Sequence, residues 1–409
     1  MKIDNISVIG LGYIGLPLAV ILASKSKPVS GYDKNSYVLN DIKKSNVKIN
    51  EPDFLKLLNS QKVKKKFKIS KKLKKSDVFI IAVPTPIKKF NSKVNMSAIF
   101  NVINNIIKIL TPGNLIIIES TCPVGTTNLI EKFIYKKRSD LKKNSINISY
   151  CPERILPGNT IKELESNDRI IGGVNYKSSL HAKKVYELFV KGKLHLTDSK
   201  TAEMCKLSEN VFRDINIAYA NELSMIADKN NVDIWSLIKL TNFHPRVKIL
   251  NPGPGVGGHC IAVDPWFIIN QNKRYSKLIL QARKTNLIKE KWVIKRIKEK
   301  IKILLKNNNT LNVVFFGLTY KANSNDIRES PSINIIKKFL NIKKINIYVC
   351  EPNVKNMKFN SKVKFVKLDV AIKKLGLGVL LVKHKEFQTR YFKNFGVDNI
   401  IDTCGILSQ

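Results

Sequence analysis

The chain has 409 residues, 44% of them hydrophobic and 8% aromatic, with 72 Lys and Arg against 31 Asp and Glu and a formal net charge of +41. That length exceeds one ordinary core and suits two or three domains, while the longest apolar runs, Asp77–Val83 and Asn114–Ser120, are far shorter than the ~20 residues needed to span a bilayer. Six dispersed cysteines with no C-x-x-C pair argue against a zinc ribbon or a disulfide framework.

The charge invites a nucleic-acid reading. Only ten of the basic residues are arginine, however, and the lysines are spread along the whole chain among many asparagines and isoleucines. The densest run, Lys62–Lys75, has no interleaved aromatic platform. The expectation is a compositional bias with no specific nucleic-acid partner. The opening "MKIDNISVIGLGYIG" has a lysine and an aspartate ahead of its apolar run and no small-residue cleavage site after it, so a cytoplasmic protein without a membrane partner is expected.

In chain order, "ISVIG" predicts a strand leading into an apolar helix over Ile14–Ser24, and "PVSGYD", "DVFIIAVPTP", "NLIIIEST" and "INISYCPER" predict further strands. That alternation implies a parallel sheet with helices on both faces. From Thr201 to Lys302 the pattern turns helical. Leu207, Val211, Ile215 and Ala218 recur at spacings of three and four, as one buried helical face requires. After Asn309, "NVVFFGLTYK", "INIYVCEP", "LGVLLVK" and "NIIDT" read as four strands of a smaller doubly wound domain. The predicted fold class is therefore α/β, with two Rossmann-like doubly wound parallel-sheet domains, 1–195 and 306–409, joined by a central helical domain, 196–305, that carries a long connecting helix.

"GLGYIG" places Gly10, Gly12 and Gly15 in G-x-G-x-x-G spacing, with Tyr13 and Ile14 between them, after a strand and before a helix. Such a loop admits a pyrophosphate close to the backbone at a helix N-terminus. An acidic residue about twenty positions on should bind the adenosine ribose, and Asp33 fills that place, which favours NAD over NADP. Thr85, Thr121 and Thr126 follow later strands, whose carboxyl ends line the ligand crevice in this architecture. The same glycine pattern also suits a tight turn without a ligand.

"NPGPGVGGHCIAVDPWF", Asn251–Phe267, sets glycines ahead of Cys260 and reads as a moulded loop opening a helical segment at the cysteine, with Pro265 interrupting it. A thiol at a helix N-terminus or near cations is an activated nucleophile; a buried structural cysteine is the alternative. Lys206, Asn210 and Arg213 stand at spacings of four and three, on one helical face, the pattern of a site or of a solvated stripe.

Together with "GLGYIGLPLA", "CPER" (Cys151–Arg154), "AEMCKLSENVFRDINIAYANEL" and "FGLTYKANSNDIRESPS", this loop is similar in order and content to the UDP-glucose/GDP-mannose dehydrogenase family over essentially the whole chain. The resemblance implies NAD-dependent four-electron oxidation of a nucleotide sugar at C6 to the acid, by way of a cysteine thiohemiacetal and thioester, and a homodimer. It implies Cys260 as nucleophile, Lys206 and Asn210 as donors to the developing oxyanion, and Asp264, Glu153 and Thr121 as groups that handle water and protons. Arg154, Ile155, Lys206, Asn210, Arg213, His244, Arg246, Gly257 and Lys321 match substrate-binding positions, and Arg328 closes on the cofactor. "GVGGHCIAVDPWF" resembles most the branch acting on UDP-N-acetyl-D-mannosamine, whose product feeds bacterial surface polysaccharide. UDP-N-acetylglucosamine, UDP-glucose and GDP-mannose are rival substrates, and a non-catalytic nucleotide- or nucleic-acid-binding protein is the reading of another class.

Overall fold

The computed structural model describes residues 3–47, 49, 51–87, 94–155, 158–354, 357, 359–388 and 399–407. The chain forms two compact units, one of Met1–Glu209 with Trp266–Gln271 and the other of Asn210–Pro265 with Asn272–Gln409.

Among the described residues of the first unit, eight strands form one sheet: β1 (Ile6–Ile9), β2 (Val29–Tyr32), β3 (Phe67–Ser70), β4 (Val78–Ile81), β5 (Leu115–Ile118), β6 (Asn147–Tyr150), β7 (Arg169–Gly173) and β8 (Leu194–Asp198), in the order β3-β2-β1-β4-β5-β6-β7-β8. All neighbours run parallel except β6 and β7. The central strands are apolar without alternation because both of their faces are covered. Val8, Ile80 and Ile117 join a core with Leu18 and Leu22 of the helix Gly15–Ser24, whereas Ile9, Ile81 and Ile118 join another with Ile99 and Ile103. Strands β3, β7 and β8 escape the sequence pattern. The first lies inside the lysine-rich run, with Phe67 buried and Lys68 exposed, because an edge strand needs little apolar surface and lysine keeps its open side from pairing.

The second unit contains β9 (Leu311–Phe316), β10 (Ile345–Cys350), β11 (Val363–Phe365), β12 (Leu377–Leu380) and β13 (Ile400–Asp402), all parallel in the order β11-β10-β9-β12-β13. The α/β class with two doubly wound sheets and a helical stretch between them is thus observed; β11 is the strand that the sequence pattern missed. No helix among the described residues is long and apolar enough to cross a membrane.

The helix Ser199–Lys229 crosses from the first unit to the second. Leu207, Val211 and Ala218 are buried as expected, but Ile215 is only half buried. Glu203, Asp214 and Asn221 complete the buried stripe at 0% exposure. In the second unit, Asp214 takes a 2.6 Å ion pair from Arg283 of the helix Lys277–Leu304 and a 2.8 Å hydrogen bond from Asn286. Burial pushes the Asp214 carboxyl up, and these two partners pull it back.

Cys260 does not open a helix. Its carbonyl accepts from Val263 N at 3.0 Å and Asp264 N at 2.8 Å in a turn, and the helix begins only at Pro265 and runs to Gln271. Proline fits a first helical position because it has no N–H to leave unpaired, and it disfavours helical φ/ψ in the residue before it.

Arg283→Met is expected to lower stability by about 3–5 kcal/mol at neutral pH, since it strands a buried carboxylate. Protonation of Asp214 removes that charge, so the loss should shrink in acid. Urea denaturation at neutral and acid pH measures both.

Candidate active site

At the first turn of the first unit, Gly10 has φ +92°, and a Cβ there would fall 2.4 Å from the Ala82 carbonyl oxygen. One at Gly15 would fall 1.9 Å from the Gly10 oxygen, whereas one at Gly12 meets nothing within 4 Å. Two glycines therefore close the turn and the exposed one leaves its outer face open. Asp33 accepts from Leu11 N at 2.9 Å and Asn35 N at 2.8 Å, which sets its carboxylate against the glycine loop. An open glycine at a helix N-terminus with an acid at the end of β2 is the donor and acceptor set that NAD requires.

Tyr13 is half buried. Its hydroxyl donates to Glu51 Oε1 at 2.7 Å, and Glu51 also accepts from Gly158 N, Thr160 N and Thr160 Oγ1 at 2.9, 2.7 and 2.8 Å. Burial pushes the Tyr13 phenol up to about 12. Burial would raise Glu51 as well, but its donors hold it below the usual carboxylate range. Ile14 is half buried at the start of the helix.

The loops after β4 and β5 are stitched together. Thr85 Oγ1 donates to the Thr121 carbonyl at 2.7 Å, and Val83 N to Ser120 Oγ at 2.9 Å. Thr126 is buried and donates to the Pro123 carbonyl at 2.6 Å. The amino end of the helix Thr126–Lys137 is occupied by a carboxylate of the chain itself: Glu203 accepts from Gly125 N at 2.5 Å, Thr127 N at 2.8 Å and Thr127 Oγ1 at 2.6 Å. Positive helix ends favour such an anion, and burial raises Glu203 against these donors. Gln271 holds Val124 through both its N–H and its carbonyl, at 3.0 and 2.9 Å.

Lys206, one turn on from Glu203, donates to the Glu153 carbonyl at 2.6 Å. Glu153 is buried and takes a hydrogen bond from Ile155 N. Burial pushes its carboxyl up, with Arg169 and then Lys206 opposing. Arg154 pairs with Glu209 at 2.8 Å and donates to the Asp168 carbonyl at 3.4 Å.

In the second unit, Asn210 Nδ2 donates to Asp264 Oδ2 at 2.5 Å, and Asp264 is 3% exposed. Cys260 is exposed. The glycines before it are closely covered: a Cβ on Gly257 would fall 2.7 Å from both Tyr320 Cβ and the Glu329 carbonyl oxygen, and one on Gly258, at φ +81°, 2.9 Å from the Tyr320 ring. Gly258 N also donates to the Arg328 carbonyl at 3.1 Å. Burial raises the Tyr320 phenol, and the charges of Asp326 and Cys260 add to this. Arg328 forks onto Asp326 at 2.9 and 2.5 Å. Further back, Gly253 N donates to Asn221 Oδ1 at 2.9 Å, and Asn221 donates to Asn286 at 2.9 Å. Arg213 and Lys321 are exposed, as are His244 and Arg246, whose turn is closed by a 3.3 Å bond from Arg246 N to His244 Nδ1.

The structure thus gathers Glu153, Arg154, Ile155 and Lys206 in the first unit, and Asn210 with Asp264, and Gly257 and Cys260 with Arg328, in the second. Sequence reasoning missed Glu51, Glu203, Asn221, Tyr320 and Asp326. Three family models match in succession: the NAD binding domain of the UDP-glucose/GDP-mannose dehydrogenase family at residues 4–190, its central domain at 200–287 and its UDP binding domain at 314–409. UDP-N-acetyl-D-mannosamine dehydrogenase of Campylobacter jejuni is 44% identical over 94% of this chain and 97% of its own. NDP-N-acetyl-D-galactosaminuronic acid dehydrogenase of Ralstonia nicotianae is 41% identical over 99% and 96%. A solved structure of UDP-D-ManNAc dehydrogenase from Pyrococcus horikoshii superposes with a TM-score of 0.85 at 34% identity, covering 98% of this chain and 96% of the other.

Gly258→Ala is expected to displace the cysteine loop, since a methyl at that φ carries strain of about 1–3 kcal/mol and meets the Tyr320 ring. The check is the rate of Cys260 alkylation by iodoacetamide, with circular dichroism confirming the fold. Equal rates in both proteins would mean that the ring does not shape the loop.

Proposed function

The chain belongs to the UDP-glucose/GDP-mannose dehydrogenase family, and from that premise we propose that it oxidises UDP-N-acetyl-D-mannosamine at C6 to UDP-N-acetyl-D-mannosaminuronate. The observation that carries the reading is the exposed thiol of Cys260 on a loop moulded by Gly257 and Gly258, with Asp264 one turn on in the hands of Asn210. The choice of sugar rests on the Campylobacter jejuni relative.

Bound at the Gly12 loop, NAD supplies the two-electron oxidant, once for alcohol to aldehyde and once more for aldehyde to acid. The Cys260 thiolate adds to the C6 aldehyde and holds it as a thiohemiacetal. The second oxidation leaves a thioester, which one water hydrolyses to the carboxylate and the free thiol. Negative charge gathers on the C6 oxygen at each addition, and fixed donors there lower the barrier; Lys206 and the second N–H of Asn210 take that role. Asp264 and Glu153 exchange protons with the thiol and the water, and Thr121 holds the water. Arg154, Arg213 and Arg246 suit the diphosphate through forked hydrogen bonds, with Ile155, His244, Gly257 and Lys321 lining the sugar nucleotide and Arg328 toward the cofactor.

Residues 1–195, 196–305 and 306–409 are taken as NAD-binding, catalytic and UDP-sugar-binding domains, a division supported by the three family models. A homodimer is supported by Phe212, Tyr219 and Ile226, seven residues apart on one helical face and 70%, 56% and 51% exposed. The Ralstonia nicotianae relative, at nearly equal identity, favours as a second reading a UDP-sugar of N-acetyl-D-galactosamine type.

Incubation with NAD and a panel of UDP- and GDP-sugars is expected to give two NADH per sugar, fastest with UDP-N-acetyl-D-mannosamine. A different preferred sugar moves the assignment, and no NADH with any sugar removes it. Cys260→Ser is expected to abolish acid formation while leaving NAD affinity within about twofold, as expected for loss of a group that acts only in the chemical steps. Continued steady release of the acid by the variant would exclude the thioester route.

A further inference from the structure

Behind Glu153, within the first unit, lies a buried polar cluster that the chemistry above does not use. Arg169, at the start of β7, is 1% exposed. Its Nη1 donates to the Pro152 carbonyl at 3.5 Å, while Nε and Nη2 have no hydrogen-bonding partner among the described residues. The guanidinium lies 5.6 Å from the centroid of the Tyr186 ring. Tyr186, fully buried, donates its hydroxyl to Glu119 Oε1 at 2.6 Å, and Glu119 Oε2 has no partner among the described residues.

Burying a guanidinium with so few hydrogen bonds is costly unless opposite charge stands near. Two carboxyls meet that need. Burial pushes Glu119 up to about 7, with Arg169 pulling it down and Glu153 pushing it further up. Burial raises Glu153 too, with Arg169 the first opposing charge and Lys206 the second. The remaining titratable neighbour is Cys151, at the end of β6, whose thiol burial holds far above its ordinary value. The charges acting on Glu153 are therefore Arg169 from β7 and Lys206 from the long helix, the latter donating to its carbonyl, while Glu153 in turn acts on Glu119 at the end of β5.

The geometry points to Arg169 as a positioning residue for Glu153: its buried guanidinium anchors the Pro152 carbonyl directly ahead of Glu153 and lies against the ring of Tyr186, whose hydroxyl holds Glu119. Tyr186 is the brace, covering the guanidinium with its ring and fixing Glu119 through its hydroxyl. This inference rests on the reading that Glu153 exchanges protons in the reaction. Its physical content is that two buried carboxyls compete for one cation, so the charge of each depends on the other.

The full chain, carrying glutamate labelled with 13C at the side-chain carboxyl, is titrated by NMR without substrate. In Glu153→Gln, an isosteric change that spares the fold, the Glu119 titration should fall from its position near 7, by on the order of one unit, since a like charge has gone and Arg169 is no longer shared. In Arg169→Met the Glu153 titration should rise by about 1–3 units, and Arg169→Lys, which keeps the charge, should recover most of that shift. An unmoved Glu119 in Glu153→Gln overturns the proposal and decides the matter alone should Arg169→Met not fold. A Glu153 titration in Arg169→Met equal to that of the parent overturns it as well. The pH profile of kcat/KM with the preferred sugar separates the two claims: if the NMR shifts appear while the profile of Arg169→Met matches the parent, the cluster stands and the proton-transfer role of Glu153 falls.

Discussion

A polar group buried away from water costs about 1–3 kcal/mol unless it finds a partner, and Glu203, Asp214 and Asn221 are among the buried polar groups that the helix Ser199–Lys229 carries on its apolar face. Each binds a specific segment. Glu203 fastens the start of the helix Thr126–Lys137 through three donors, Asp214 fixes the helix Lys277–Leu304 through Arg283 and Asn286, and Asn221 takes the N–H of Gly253 in the cysteine loop. An all-apolar face would pack as well but would leave these loops free to slide, because hydrophobic contact is non-directional. The half-buried side chains one turn away, Lys206 and Asn210, inherit that rigidity.

The two sheets repeat one device with different outcomes. Gly10 and Gly317 both have φ +92°, and their N–H groups donate to the last residue of the neighbouring strand, Tyr32 at 2.8 Å and Cys350 at 2.9 Å. In each, the next backbone N–H meets a carboxylate, Leu11 to Asp33 at 2.9 Å and Leu318 to Glu351 at 2.6 Å. Asp33 keeps part of its surface open. Glu351 is closed in by His384 at 3.3 Å and by Asn353 N at 2.7 Å, its side chain 1% exposed. The turn that leaves an acid partly open in the first sheet thus serves in the second as internal bracing, although the strand order around it is the same.

Charge in the first unit is handled by local pairing. The formal +41 is spread over the surface, whereas the groups near the proposed chemistry sit in small sets: Lys206 with Glu153, Arg154 with Glu209, and Glu119 with Arg169 behind them. Water screens the surface lysines strongly, the part-exposed pair of Arg154 and Glu209 less, and the buried Glu119, Glu153 and Arg169 least. Protonation at the site is therefore decided by a few neighbours at short range.

The sequence by itself determined whatever repeats over a short interval or completes within one turn. Apolar runs marked the central strands, spacings of three and four marked the face of Leu207, Val211 and Ala218, and "GLGYIG" with Asp33 marked the cofactor turn. Edge strands β3 and β11 left no such trace, because one covered face needs few apolar residues and lysine can fill the rest. Only the tertiary structure decided that Glu203 would cap a helix 76 residues earlier in the chain, that Asn221 would hold Gly253, that Tyr320 would crowd Gly258, and that Arg169 would hold the carbonyl ahead of Glu153. A glutamate, an asparagine or an arginine looks the same in sequence whether it faces water or is buried. Its partner is set by the path of the whole chain, and that path has no local period to read.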